Sequence, residues 1–98
     1  MRESDIERYL VDQVGKRGGE TRKVAWVGRV GAPDRLVLLP GGVGLWVEVK
    51  GPDTLPMFPI DARERAQARE HNRMRALGQP VFVIGTFAGV DELLGMFP

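Results

Sequence analysis

The sequence has no cysteine, one histidine and one tyrosine in 98 residues. Without cysteine there can be no disulfide and no thiolate metal site, which fits a reducing interior. A single histidine cannot build a zinc centre in their place. Charge of one sign is lacking too: 14 Lys and Arg against 13 Asp and Glu leave a net charge of +1. A nucleic-acid partner would therefore be held by a local patch, not by a basic surface as a whole. No apolar run approaches the length of a membrane span, and the amino end is charged from Arg2 onward. Neither a membrane anchor nor a secretory leader is expected. There is no internal repeat and no low-complexity tract. What is present is 43% apolar residues, enough for one core, so residues 1–98 are expected to form a single domain.

The chain is organised around Gly31 to Lys50. An apolar run, Leu36-Val37-Leu38-Leu39, is followed by the turn Pro40-Gly41-Gly42 and then by Leu45-Trp46-Val47-Glu48-Val49-Lys50. That pattern predicts a hairpin of two strands. Side chains alternate along a strand, so Trp46, Glu48 and Lys50 share one face while Val47 and Val49 take the other. If the chain reverses at Gly41-Gly42, the mouth of the first strand lies beside the end of the second. Asp34 then joins Glu48 and Lys50. Taken singly, these charges have ordinary uses: a Glu–Lys pair on a strand is usually solvated, and an Asp after Pro usually serves a turn. Strands this rich in Val and Leu look buried on both faces, however, and buried charges need partners. Carboxylate oxygens suit magnesium or manganese. A neighbouring lysine can orient or activate a water, or steady a developing negative charge.

The remaining elements follow from periodicity and breakers. Ile6, Leu10 and Val14 mark the buried stripe of a helix from Arg2 to Arg17, stopped by Gly18-Gly19. Glu3 projects onto that stripe and Glu7 lies at its edge, although an acid in a first turn also simply complements the helix dipole. Thr21 to Val30 is predicted as a strand, with Val24 and Trp26 on one face. Gly28 and Gly31 suggest a bend or a close backbone approach before Asp34. Lys23, Arg29 and Arg35 lie near strand ends and are solvated charges or phosphate contacts. Prolines 52, 56 and 59 make Gly51 to Pro59 a loop. Asp61 to Leu77 is predicted as a helix capped by Asp61, with Ala62, Ala66, Met74 and Leu77 on its apolar face and Gln67 at the border. Its five arginines, Arg63, Arg65, Arg69, Arg73 and Arg75, are either laced to Glu64 and Glu70 on a solvated surface or form a phosphate-facing stripe. His71 is read as helix surface or as a minor contributor to a site. Val81 to Ile84 is a short buried strand, and Gly89 to Met96 a short terminal helix or turn. Helix, three strands, helix and strand, with a short last helix, predict an α/β (α+β) domain with a mixed sheet flanked by helices.

This order, with Gly31-Ala32-Pro33-Asp34-Arg35, then Glu48-Val49-Lys50, then Gln67 in a helix closed by Gly78, resembles the PD-(D/E)xK nuclease superfamily. Within it, the closer likeness is to the VRR-NUC branch, the virus-type replication and repair nucleases. Gly18-Gly19 followed by Lys23 is similar to that family's early segment. The resemblance spans nearly the whole chain and implies a restriction-endonuclease-like core. It implies that Asp34 and Glu48 are metal ligands, that the Val49 carbonyl completes the set, and that Lys50 positions or activates the attacking water. Glu3 resembles the family's first-helix acid, with Glu7 its competitor, and Gln67 the helix glutamine that supports the site. The Gly51 to Ile60 loop is longer than the family pattern suggests.

The function implied is Mg²⁺- or Mn²⁺-dependent hydrolysis of phosphodiester bonds in DNA, branched or four-way junctions included, in replication, repair or recombination. The implied assembly is a homodimer in the cytoplasm of a bacterial cell or a phage-infected host. Three other readings remain at this level: a non-catalytic DNA-binding module on the same fold, an interaction protein using Met57, Phe58, Met96 and Phe97, and an enzyme cutting RNA with the same site.

Overall fold

A computed structural model describes all of residues 1–98. Helix α1 (Glu3–Lys16) leads into strand β1 (Glu20–Lys23), followed by β2 (Arg35–Leu39) and β3 (Val43–Val49). A single 3-10 turn (Leu55–Met57) precedes α2 (Ala62–Ala76), and β4 (Val81–Ile84) and α3 (Phe87–Gly95) close the chain. The sheet order is β1-β2-β3-β4. The first three strands are antiparallel neighbours, and β4 joins β3 in parallel. That last pairing needs a crossover, which α2 provides. The mixed sheet flanked by helices matches the class expected from the sequence.

The core lies on one face of the sheet. Ile6, Leu10 and Val14 of α1 meet Val37 and Leu39 of β2, Leu45, Val47 and Val49 of β3, Ile84 of β4, and Val90, Leu93 and Leu94 of α3. Every second residue of β3 is thus committed to this core, and the residues between them face α2. The hairpin turn works as its glycines suggest: Gly41 and Gly42 take φ of +86° and +79°, and Leu39 pairs with Val43 across it. The Asp61 side chain caps α2 by accepting from the Glu64 N–H at 2.8 Å.

Two expectations are corrected here. The first strand does not run from Thr21 to Val30; it ends at Lys23, and only the Val24 N–H, donating to the Asp34 carbonyl at 3.1 Å, extends the pairing. The chain then leaves the sheet because Trp26 has a better partner: its indole N–H donates to Glu70 Oε2 at 2.9 Å, and its ring meets the Trp46 ring edge-on at 5.8 Å.

The second correction concerns the buried face of α2. It runs through Glu64, Gln67, Glu70, His71 and Met74, whereas Ala62 is exposed and Leu77 is 81% exposed. Hydrophobic periodicity missed this stripe because it is polar: it packs against the charged face of β3.

The loop from Val24 to Asp34 is fastened to α2. Glu70 receives the Trp26 N–H and pairs with Arg29 at 3.1 Å and Arg73 at 3.0 Å. Gly31 provides the close approach: a Cβ there would lie 2.8 Å from Glu70 Cβ and 3.0 Å from the Ala66 carbonyl, at φ +95°. Gly31→Ala is therefore expected to cost about 1–3 kcal/mol from backbone strain and crowding. Urea unfolding would report this as a lower midpoint at unchanged slope.

Candidate active site

The site is built at the carboxyl end of β3 and the amino end of β2. Alternation along β3 sends Glu48 and Lys50 toward α2, where they are 2% and 3% exposed. Asp34, half-buried, reaches across: its Oδ2 accepts from the Val49 N–H at 2.7 Å. The hairpin thus brings Asp34, Glu48 and Lys50 into one cluster, and the register Arg35 to Val47 sets their spacing. From the opposite wall, Gln67 Oε1 accepts from Lys50 Nζ at 3.0 Å. Four of the side chains expected to act together from sequence are therefore in one place.

Glu3 stands apart from them. It opens α1 on an exposed surface, and its charge contributes to the environment of Asp34 without a direct contact. Glu7 is otherwise engaged: its Oε2 accepts from Arg35 Nε at 2.8 Å.

Two residues of the site, Glu64 and Phe58, escaped the sequence reading, and a third, His71, is read there only as helix surface or a minor contributor. Glu64 is buried, and its Oε2 lies 3.2 Å from Lys50 Nζ, so the ammonium is held between Glu64 and Glu48, whose Oε2 is 3.4 Å away. Glu64 is thus not part of a solvated lacing of α2. His71 is fully buried, not on the helix surface, and its Nε2 is 3.6 Å from Glu48 Oε1. Phe58, weighed above only as part of an interaction surface, stacks on the His71 ring at 6.2 Å and lies beneath Lys50 Nζ, 4.9 Å from its ring centre. The findable signal was spacing: Glu64, Gln67, His71 and Met74 recur at three- and four-residue intervals around Gln67.

The electrostatics of the cluster are uneven. Burial pushes the Asp34 carboxyl up to about 6, with Glu48's charge, a hydrogen bond to Glu48 and Glu3's charge adding to the rise, while the Val49 N–H opposes it. Glu64 is held below the usual carboxylate range, chiefly by the hydrogen bond from the Ile60 N–H and further by Lys50. Glu48 Oε1 and both nitrogens of His71 are buried without a hydrogen-bond partner. Two crowded carboxylates, one protonated more readily than usual and one with a bare buried oxygen, are the donor set that a hard divalent cation would relieve. No three Asp, Glu, His or Cys side chains are arranged to hold a metal by themselves. The fit is thus to an ion that keeps several waters on two protein carboxylates, as magnesium does.

The basic residues of α2 divide. Arg73 pairs with Glu70, and Arg75 donates to the Val81 carbonyl at 3.0 Å, so both serve the fold. Arg63 and Arg69 are exposed. No helix is long and apolar enough to cross a membrane.

Similarity to known proteins agrees with this geometry. No protein-family model matches the sequence. The chain is similar to a phage protein named "Putative nuclease p44", from Acyrthosiphon pisum secondary endosymbiont phage 1, with 45% identity over 84 residues, which are 86% of this chain and 83% of that protein. It is also similar to a solved structure described as a VRR_NUC domain, with a TM-score of 0.81 and 38% identity over 98% of this chain and 97% of that one.

Proposed function

We propose, from the premise that this chain belongs to the VRR-NUC domain family, that it is a divalent-metal-dependent nuclease acting on DNA. The observation that carries this is the meeting of half-buried Asp34 with buried Glu48, Lys50 and Gln67. Asp34 and Glu48 would hold Mg²⁺ or Mn²⁺, with the Val49 carbonyl and Glu3, directly or through water, completing the shell. When bound, the ion would acidify a water and neutralise charge gathering on the phosphate.

The chain's own residues do the rest. Lys50, fixed between Glu48, Glu64 and Gln67, keeps its ammonium where the attacking water and the phosphate oxygens meet. Gln67 sets its direction. Glu64, a carboxylate held in its ionised form, is its counter-ion at 3.2 Å. Phe58 screens its flank from solvent. No side chain forms a covalent intermediate in this scheme. Exposed Arg63 and Arg69 are placed to meet the phosphate backbone.

Branched DNA, four-way junctions included, is the proposed substrate, cut during replication, repair or recombination. The molecule measures 36 × 31 × 21 Å, close to one turn of duplex, about 34 Å. A single copy can therefore address little more than one arm. A homodimer setting two sites against two strands is the assembly that such a substrate asks for. The single-domain reading of residues 1–98 belongs to the same proposal.

The test is cleavage of supercoiled plasmid and of a synthetic four-way junction with Mg²⁺, with Mn²⁺ and with EDTA, alongside sedimentation at the working concentration. Metal-dependent cutting, faster on the junction, is expected from a dimer. DNA binding without cutting under every condition would replace the nuclease with a binding module.

A further inference from the structure

We propose that His71 is a positioning residue for Glu48, donating from Nε2 to Glu48 Oε1 and so fixing the direction in which this carboxylate faces a metal ion. The inference rests on the assignment of Glu48 as a metal ligand. Its ground is that the two oxygens of Glu48 are addressed from different sides. Lys50 Nζ stands 3.4 Å from Oε2, and His71 Nε2 stands 3.6 Å from Oε1. That second separation is longer than a formed hydrogen bond, yet Oε1 and Nε2 are both shut from water and neither has another partner. The two face each other across this gap, so a small rotation of the carboxylate completes both.

The imidazole is held for this purpose. His71 is 0% exposed, and the Phe58 ring lies nearly parallel to it at 25°. The ring therefore cannot swing away from Glu48 without displacing Phe58, on which Lys50 also rests. A histidine buried for packing alone commonly has a ring nitrogen bonded to backbone, and no backbone group bonds either nitrogen of His71. Outer partners that orient ligating side chains are worth about 10–100-fold in metal affinity.

The measurement is Mn²⁺ binding by the whole protein without DNA, followed as loss of the free-ion electron paramagnetic resonance signal. Wild type, His71→Leu and His71→Gln are compared, with thermal melting as a check on folding. His71→Leu keeps the bulk but removes the donor; His71→Gln sets an amide N–H about where Nε2 lies. The expected result is Mn²⁺ affinity weaker by about 10–100-fold in His71→Leu and largely restored in His71→Gln. Should His71→Leu not fold, His71→Asn replaces it, because its shorter amide reaches only as far as Nδ1. A folded His71→Leu or His71→Asn that binds Mn²⁺ within about twofold of wild type would overturn the proposal, as would equal loss in the glutamine variant. If the wild type takes up no Mn²⁺, the metal assignment of Glu48 falls and this inference with it; either of the other two outcomes overturns the role of His71 alone.

Discussion

Lys50→Met is expected to abolish cleavage and to destabilise the protein at the same time, and a second substitution separates the two effects. The ammonium lies between Glu48 and Glu64 at 3.4 and 3.2 Å, almost wholly out of water. Losing it removes the one cation of the cluster, with an expected fall in cleavage of about a hundred- to a thousandfold, as for other preorganised electrostatic groups. It also leaves two buried carboxylates facing each other, which costs about 3–5 kcal/mol when one partner of a buried pair is removed. Adding Glu64→Gln takes away half of that uncompensated charge. The double variant is expected to regain much of the stability in urea titrations and none of the cleavage. If cleavage returned with stability, Lys50 would be a structural residue and the site would need a different cation.

Asp34→Asn is expected to do the reverse for the fold: it should stabilise the metal-free protein while lowering cleavage on the order of a thousandfold. The folded Asp34 has a carboxyl raised from 3.8 to about 6. The native state therefore holds this proton more tightly than the unfolded chain does. Below about 4 both states are protonated and Asp34 contributes no penalty. Between about 4 and 6 the folded state falls behind, and above 6 the cost of ionising Asp34, set first by its burial and then by Glu48, is fully present. Asparagine keeps an acceptor for the Val49 N–H, which now meets Asp34 Oδ2 at 2.7 Å, and carries no charge. Melting curves at pH 8 should place the variant above wild type, and at pH 4 the two should converge. Mn²⁺ should raise the wild type toward the variant and leave the variant unmoved. A variant less stable than wild type at pH 8 would show that Asp34 is held by a counter-charge and that the pair is not strained.

What could be foreseen from the chain follows from the range of the physics involved. Asp34, Glu48 and Lys50 were groupable because strand alternation and a short glycine turn act over a few residues. The helix of Ile6, Leu10 and Val14 was visible because its buried face is apolar. The role of α2 was not visible for the opposite reason. Glu64, Gln67, Glu70 and His71 are buried by charge and hydrogen-bonding partners that lie far away in sequence, so a search for apolar residues drew the face through Ala62 and Leu77. Trp26 was misplaced in a strand for the same cause. Its partner, Glu70, is 44 residues away, and nothing local to Val24-Ala25-Trp26 announces it. The helix face favoured Glu3 over Glu7, but the Arg35 that engages Glu7 lies 28 residues away and could not be foreseen.

In β3 the residues that hold the protein together and those of the reactive cluster alternate one by one. A hairpin paired one residue out of register would therefore not yield a slightly worse enzyme. It would push Glu48 and Lys50 among Ile6, Leu10 and Leu94 and turn Leu45 and the valines outward, a structure too costly to persist. Folding thus acts as its own quality control. A preparation would contain competent molecules and unfolded ones, with no population of well-folded but inactive copies. The fraction of active sites counted by titration should equal the folded fraction, whatever the yield.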